Sequence, residues 1–255
     1  MDEVLNYQKT DQDTRHQKML IDGEWVDSAS GETFEVCSPA NLSTIATVPR
    51  GRDEDVGRAV TAAERAFTGW SRIAPRQRGR TLQQIADKIE LHVEGIAKIL
   101  ASESGNALRT QARPEASLVV DVFRYFGGLG SELKGETIPL GENILSYTRR
   151  EPIGVVGAII PWNAPTILAA LKIAPALCAG NTVVLKTAED APLAVLKLAE
   201  ICSEFLPDGV LNVLTGYGTE AGSALSGDPR IRKMSFTGST ATGKVIMREA
   251  ANRIV

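Results

Sequence analysis

Cysteine is scarce: Cys37, Cys178 and Cys202 are the only thiols in 255 residues, and they lie far apart. No pair has metal-ligand spacing, so disulfides and a zinc centre are excluded as organising devices. Each cysteine reads as a small buried hydrophobe. An excess of basic charge is also missing, with 28 Lys and Arg against 31 Asp and Glu and a net charge of -3. Nothing here tracks phosphate backbones, which excludes nucleic acid as a partner. The one basic cluster, Arg72 to Arg80, has helical spacing and reads as a solvated face. Apolar runs such as Ile153 to Ile160 fall far short of the roughly twenty residues that cross a bilayer. Residues 1–18 are polar and acidic and lack the apolar core of a secretory leader. Together these absences predict a soluble, cytoplasmic protein with no membrane partner.

What is present is an ordinary globular composition, 43% apolar and 23% charged, with ample material for a core. Residues 1–18 read as a flexible arm. Met19-Leu20-Ile21, the Asp22-Gly23 turn and the Trp25 segment read as short strands. From Asp53, apolar residues recur at helical spacing through Val56, Ala59, Val60, Ala63 and Phe67. Further helices are expected at 75–92, 94–102 and about 115–129, the last ended by Gly127-Gly128. Residues 136–150 have a different texture, alternating around a Gly141-Glu142-Asn143 turn, and read as a two-stranded excursion. From Ile153 the pattern becomes strictly βα. Strands at 153–160, 182–186, 211–214 and 231–236 are followed by helices at 166–179, 191–205, near 220–225 and at 239–253. That order predicts an α/β fold with an open, twisted parallel sheet of Rossmann-like type, helices on both faces and a small hairpin excursion.

The turns after these strands carry the chemistry. Pro161 stops the first strand and Pro165 suits the first turn of the next helix, so Asn163 lies at the carboxyl edge of the sheet. A neutral amide there has two uses: to stabilise a developing negative charge, or to cap the helix. Gly216-Tyr217-Gly218-Thr219-Glu220-Ala221-Gly222 has one residue too many for G-x-G-x-x-G, and serves equally as a tight turn or a ligand loop. Gly238-Ser239-Thr240-Ala241-Thr242-Gly243-Lys244 matches a phosphate loop until Val245, where the Mg²⁺-binding hydroxyl should be, so a phosphate-loop NTPase is set aside. The strand still runs through Gly238 into a helix start, where Ser239 either caps the helix or shares a pyrophosphate site with its N–H groups. Lys186 and Glu189 form either a surface ion pair or a set of ribose ligands. In the second case the carboxylate repels a 2′-phosphate and favours NAD over NADP.

From about Met19 onward the chain resembles the aldehyde dehydrogenase superfamily. The resemblance rests on Pro161-Trp162-Asn163, on Val183-Val184-Leu185-Lys186-Thr187-Ala188-Glu189, and on Phe236-Thr237-Gly238-Ser239-Thr240, with lesser matches at Gly23-Glu24-Trp25 and Ala179-Gly180-Asn181-Thr182. It implies an NAD-dependent oxidoreductase turning an aldehyde into a carboxylate. Asn163 is then the oxyanion-hole amide. Ile159, Pro161 and Trp162 line the cofactor cleft, Lys186 and Glu189 hold the adenosine ribose, and Gly218, Gly238 and Ser239 form the adenine–pyrophosphate turn. No metal is implied. The resemblance also makes 136–150 a segment that pairs with another subunit, dividing the coenzyme domain into 19–135 and 151–255, and it implies a homo-oligomer. The nucleophilic cysteine and general-base glutamate of this chemistry belong, by the same resemblance, to a catalytic domain beyond Val255. The expectation is that the stretch alone is inactive. The competing reading is a non-catalytic nucleotide-binding or subunit-interaction module on the same fold.

Overall fold

The computed structural model describes residues 15–252. Its centre is a six-stranded sheet built from β8 (Val155–Ile159), β9 (Thr182–Lys186), β10 (Leu211–Leu214), β11 (Ile231–Phe236), β2 (Met19–Ile21) and β3 (Glu24–Val26), in the order β11-β8-β9-β10-β2-β3. The first four are mutually parallel, whereas β2 runs antiparallel to β10 and β3 antiparallel to β2. Every residue of β8, β9 and β10 is buried. That explains their continuous Val, Ile and Leu content, since a parallel strand covered on both faces has no polar side to show.

The helices divide between the two faces. α2 (Pro75–Glu90), α3 (Val93–Ser104), α4 (Arg113–Gly128), α5 (Pro165–Cys178) and α6 (Leu193–Ser203) pack together on one face. Their apolar sides share a core with Leu185, Val183 and Val213, and Phe123 sits fully buried within it. On the other face α1 (Asp53–Trp70), α7 (Ser223–Gly227) and α8 (Thr240–Ala251) cover a smaller core around Val184, Leu214 and Ile231. β1 (Arg15–His16), β5 (Thr44–Pro49) and β4 (Thr33–Cys37) form a separate three-stranded sheet. β6 (Thr137–Pro139) and β7 (Leu145–Tyr147) pair only with each other among the described residues. Ile138, Leu140, Ile144, Leu145 and Tyr147 on this hairpin are exposed.

Several sequence expectations need correcting. The arm expected over 1–18 lies partly outside the described residues, and Arg15–His16 is a strand, paired parallel to β5. The first βα strand starts at Val155, not Ile153: Ile153 is 53% exposed and Gly154 has a φ of +130° that turns the chain into the sheet. Cys37 is exposed, because alternation along β4 turns Val36 inward and leaves Cys37 out. The Arg72–Arg80 cluster is not wholly solvated. Arg78 is buried and donates to the carbonyls of Cys178 (3.0 Å) and Ile73, tying the start of α2 to the last turn of α5.

Candidate functional site

The parallel strands end level with one another. Phe236 pairs with Ile159, Ile159 with Lys186, and Lys186 with Leu214, so one row crosses the carboxyl edge of the sheet. With neighbouring strands about 4.8 Å apart, that row is roughly 14 Å wide. From β8 the chain goes outward to β9 and β10 on one side and later returns to place β11 on the other. The order therefore reverses beside β8, where open α/β sheets leave a crevice between diverging loops. All the sequence-derived candidates stand on loops or strand ends along this edge.

On the β8 side, Ile159 is buried, Pro161 is half-buried, and Trp162 is 52% exposed. Asn163 is also exposed, and its carbonyl accepts from Asn106 Nδ2 at 3.3 Å, which ties the turn to the loop that follows α3. The capping alternative for Asn163 does not hold. The N-cap of α5 is Ala164, which has no side chain to offer. Glu115 of α4 does the work instead: its Oε1 accepts from Thr166 N (3.0 Å), Thr166 Oγ1 (2.7 Å) and Ile167 N (3.2 Å). The Asn163 side-chain amide makes no hydrogen bond among the described residues.

At the end of β9, Lys186 is 2% exposed, and its Nζ lies 3.1 Å from Glu189 Oε1. A buried ammonium requires such a partner. Burial pushes the Lys186 pKa down while the Glu189 carboxylate pulls it back up. The same Oε1 accepts the N–H of Gly218 at 2.5 Å. One carboxylate oxygen thus joins the β9 and β10 loops, and Oε2 makes no hydrogen bond among the described residues. An anchored carboxylate with a spare acceptor, beside a lysine with spare donors, fits a sugar diol.

Gly218 opens a five-residue π-turn, Gly218–Gly222, that leads into α7. The preceding Gly216 has a φ of +138°, and a Cβ there would stand 2.5 Å from the Gly51 carbonyl oxygen, so only glycine permits this approach. Tyr217 packs against the Phe34 ring (5.1 Å between centroids), and the Arg50 guanidinium lies over its ring (5.1 Å). Arg50 also forks onto Glu220, with Nε to Oε2 at 3.0 Å and Nη2 to Oε1 at 2.6 Å. That fork holds the Glu220 carboxyl below its ordinary range. Sequence reading missed this cluster because its members are separated by 170 residues.

At the end of β11, Gly238 and Ser239 are exposed. Ser239 is the N-cap of α8, and its Oγ accepts from Thr242 N at 3.2 Å. Capping leaves other first-turn N–H groups without intrahelical partners, as every helix start does. None of these residues borders the cavity of about 710 Å³ that His16, Trp25, Lys98 and Leu193 help to line.

Among the described residues no helix is long and apolar enough to cross a membrane. The model of the aldehyde dehydrogenase family matches residues 25–255. Aldehyde dehydrogenase 1 of Tanacetum cinerariifolium is 45% identical over 242 residues, covering 94% of this chain and 48% of that protein. Retinaldehyde dehydrogenase 3 of Mus musculus is 41% identical over 245 residues, covering 94% of this chain and 48% of its own length. The solved NAD⁺ complex of an aldehyde dehydrogenase from Bacillus cereus superposes with a TM-score of 0.92 at 40% identity, covering 94% of this chain and 50% of that one. The chain thus spans about half the length of the relatives it matches. With its motifs, sheet order and matched length in agreement, this chain belongs to the aldehyde dehydrogenase family.

Proposed function

We propose that this stretch is the coenzyme-binding part of an enzyme that oxidises an aldehyde to a carboxylate with NAD. The observation that carries the reading is the Lys186–Glu189–Gly218 junction at the sheet edge, where one glutamate oxygen is fixed and the other is spare. Glu189 Oε2 accepts from a ribose hydroxyl and Lys186 Nζ donates to its neighbour. A carboxylate at that place repels a 2′-phosphate, so NAD is preferred over NADP. Gly238 lets the backbone come close to a pyrophosphate, and Ser239 opens the helix whose N–H groups face it. Ile159, Pro161 and Trp162 wall the cleft on the β8 side, and Gly218 closes the adenosine side.

NAD when bound supplies the hydride acceptor. The chain's own contribution at the reacting end is Asn163, whose amide is unspent by the fold and donates to an aldehyde oxygen as negative charge grows on it. Removing one such donor costs about a hundred- to a thousandfold in rate. The attacking thiolate does not come from the described cysteines. Cys178 and Cys202 are buried and their pKa values are pushed up by burial, and Cys37 is on β4 in the separate sheet. These 255 residues alone are therefore proposed to bind the coenzyme without turning over an aldehyde. The exposed apolar hairpin β6–β7 is proposed as a subunit contact, and the cytoplasm as the compartment.

NAD binding is the direct test. At a hundredfold excess over its dissociation constant, a ligand specific for the folded state adds about 2.7 kcal/mol, which a melting experiment reads easily. NAD should raise the melting temperature of the chain, and Lys186→Met should abolish the rise. No shift, with no heat of binding in calorimetry, sinks the coenzyme reading.

A further inference from the structure

The segment Pro49–Arg52, between β5 and α1, lies against the loop that follows β10. Thr215 Oγ1 donates to the Pro49 carbonyl at 2.5 Å, and Gly51 and Gly216 approach backbone to backbone. Arg50 then grips the loop twice, through the Glu220 fork and through the face of Tyr217. Its remaining nitrogen, Nη1, reaches Glu32 at 3.1 Å, and Arg52 reaches the same Glu32 carboxylate at 2.8 Å. Tyr217 and Glu220 bracket Gly218, whose N–H is one of the two groups anchoring Glu189 Oε1. Arg50 itself makes no hydrogen bond or ion pair with Glu189 among the described residues.

We infer that Arg50 is a positioning residue for coenzyme selection: by clamping Tyr217 and Glu220 it holds Gly218 against Glu189 and so keeps that carboxylate at the ribose. This rests on the coenzyme reading above and extends it to a residue outside the cleft. With the clamp released, Gly218 N moves off Oε1, and Lys186 alone no longer fixes the carboxylate's direction. The ribose of NAD then loses a pre-placed acceptor, while a 2′-phosphate meets a charge that can swing aside. NAD should weaken and NADP should not.

The test is calorimetric titration of NAD and NADP into the full chain and into Arg50→Met, Glu220→Gln, the double variant and Arg50→Lys. Each of the first two should weaken NAD by about tenfold and change NADP by less than about twofold. The double variant should be no worse than Arg50→Met alone, since the fork is already gone in that variant. Arg50→Lys keeps the charge without the fork and should recover only part of the preference. Equal weakening of both coenzymes, or an unchanged ratio in variants with native circular dichroism, overturns the role of Arg50 and leaves the coenzyme reading standing. Failure of the unaltered chain to bind NAD overturns both. If the variants do not fold, hydrogen exchange of the Gly218 amide in the unaltered chain decides. Protection is expected, and free exchange of that amide in the NAD-bound chain rejects the clamp.

Discussion

Glu103 is the residue whose titration should dominate the pH response of this fold. It lies in the last turn of α3, is 2% exposed, and accepts from Leu193 N at 2.6 Å and Ala194 N at 2.9 Å. α6 begins after Pro192, which has no side-chain acceptor, so this carboxyl substitutes for the missing cap. Burial raises its pKa from 4.5 to about 8, against the opposing pull of the two N–H groups and with some help from nearby Glu115. The folded value is above the unfolded one. Its contribution is therefore complete below pH 4.5, declines as the unfolded chain releases its proton first, and is gone above about pH 8. At 1.36 kcal/mol per unit, the full excursion is roughly 5 kcal/mol. Urea unfolding across this window should show the loss, and Glu103→Gln should remove the slope that Glu103 supplies. An amide accepts at only one atom, so the variant leaves one buried N–H short and costs about 1–3 kcal/mol at the acid end. The gap between the two proteins should close as pH rises and then reverse, because the loss of roughly 5 kcal/mol at Glu103 exceeds the initial deficit. A gap independent of pH would show that Glu103 does not titrate in the native state, and the reasoning fails.

Other substitutions test the supports of the site. Glu115→Ala removes the acceptor at the start of α5 and should cost about 1–2 kcal/mol, or a melting temperature lower by roughly 2–6 °C; an unchanged scan refutes its capping role. Gly216→Ala forces a side chain into a left-handed position against the Gly51 carbonyl and should cost about 1–3 kcal/mol in denaturant titration, whereas a neutral effect means the loop has another course. Phe123→Ala, at a fully buried position, should cost about 3–5 kcal/mol, and a smaller loss means the helical layer collapses around the gap.

The strands Thr182–Lys186 and Leu211–Leu214 are legible in the sequence because burial on both faces leaves a local signature in a few consecutive side chains. The ends of those strands follow directly, which is why the edge could be read before any fold was known. Contacts that span the chain have no such signature. Glu115 caps a helix 51 residues away and Glu103 one 90 residues away, and each looks in sequence like any surface glutamate. Asn163, placed beside a helix start, looked as much like a cap as a donor; only the presence of Glu115 frees it. Arg78 likewise sits in a run of arginines, and nothing local tells that it alone turns inward.

The antiparallel pairing of β2 with β10 has a consequence for synthesis. Leu20 meets Val213, and Asp22 N finds its acceptor, Asn212 Oδ1, 190 residues later. At a ribosomal pace of about 5–20 residues per second, the wait is about 10–40 s. Throughout it Met19, Leu20 and Ile21, all buried at the end, have β3 on one side but lack β10 on the other. A strand translated early thus completes its docking late, and the interval before β10 emerges is when a holdase has most to protect.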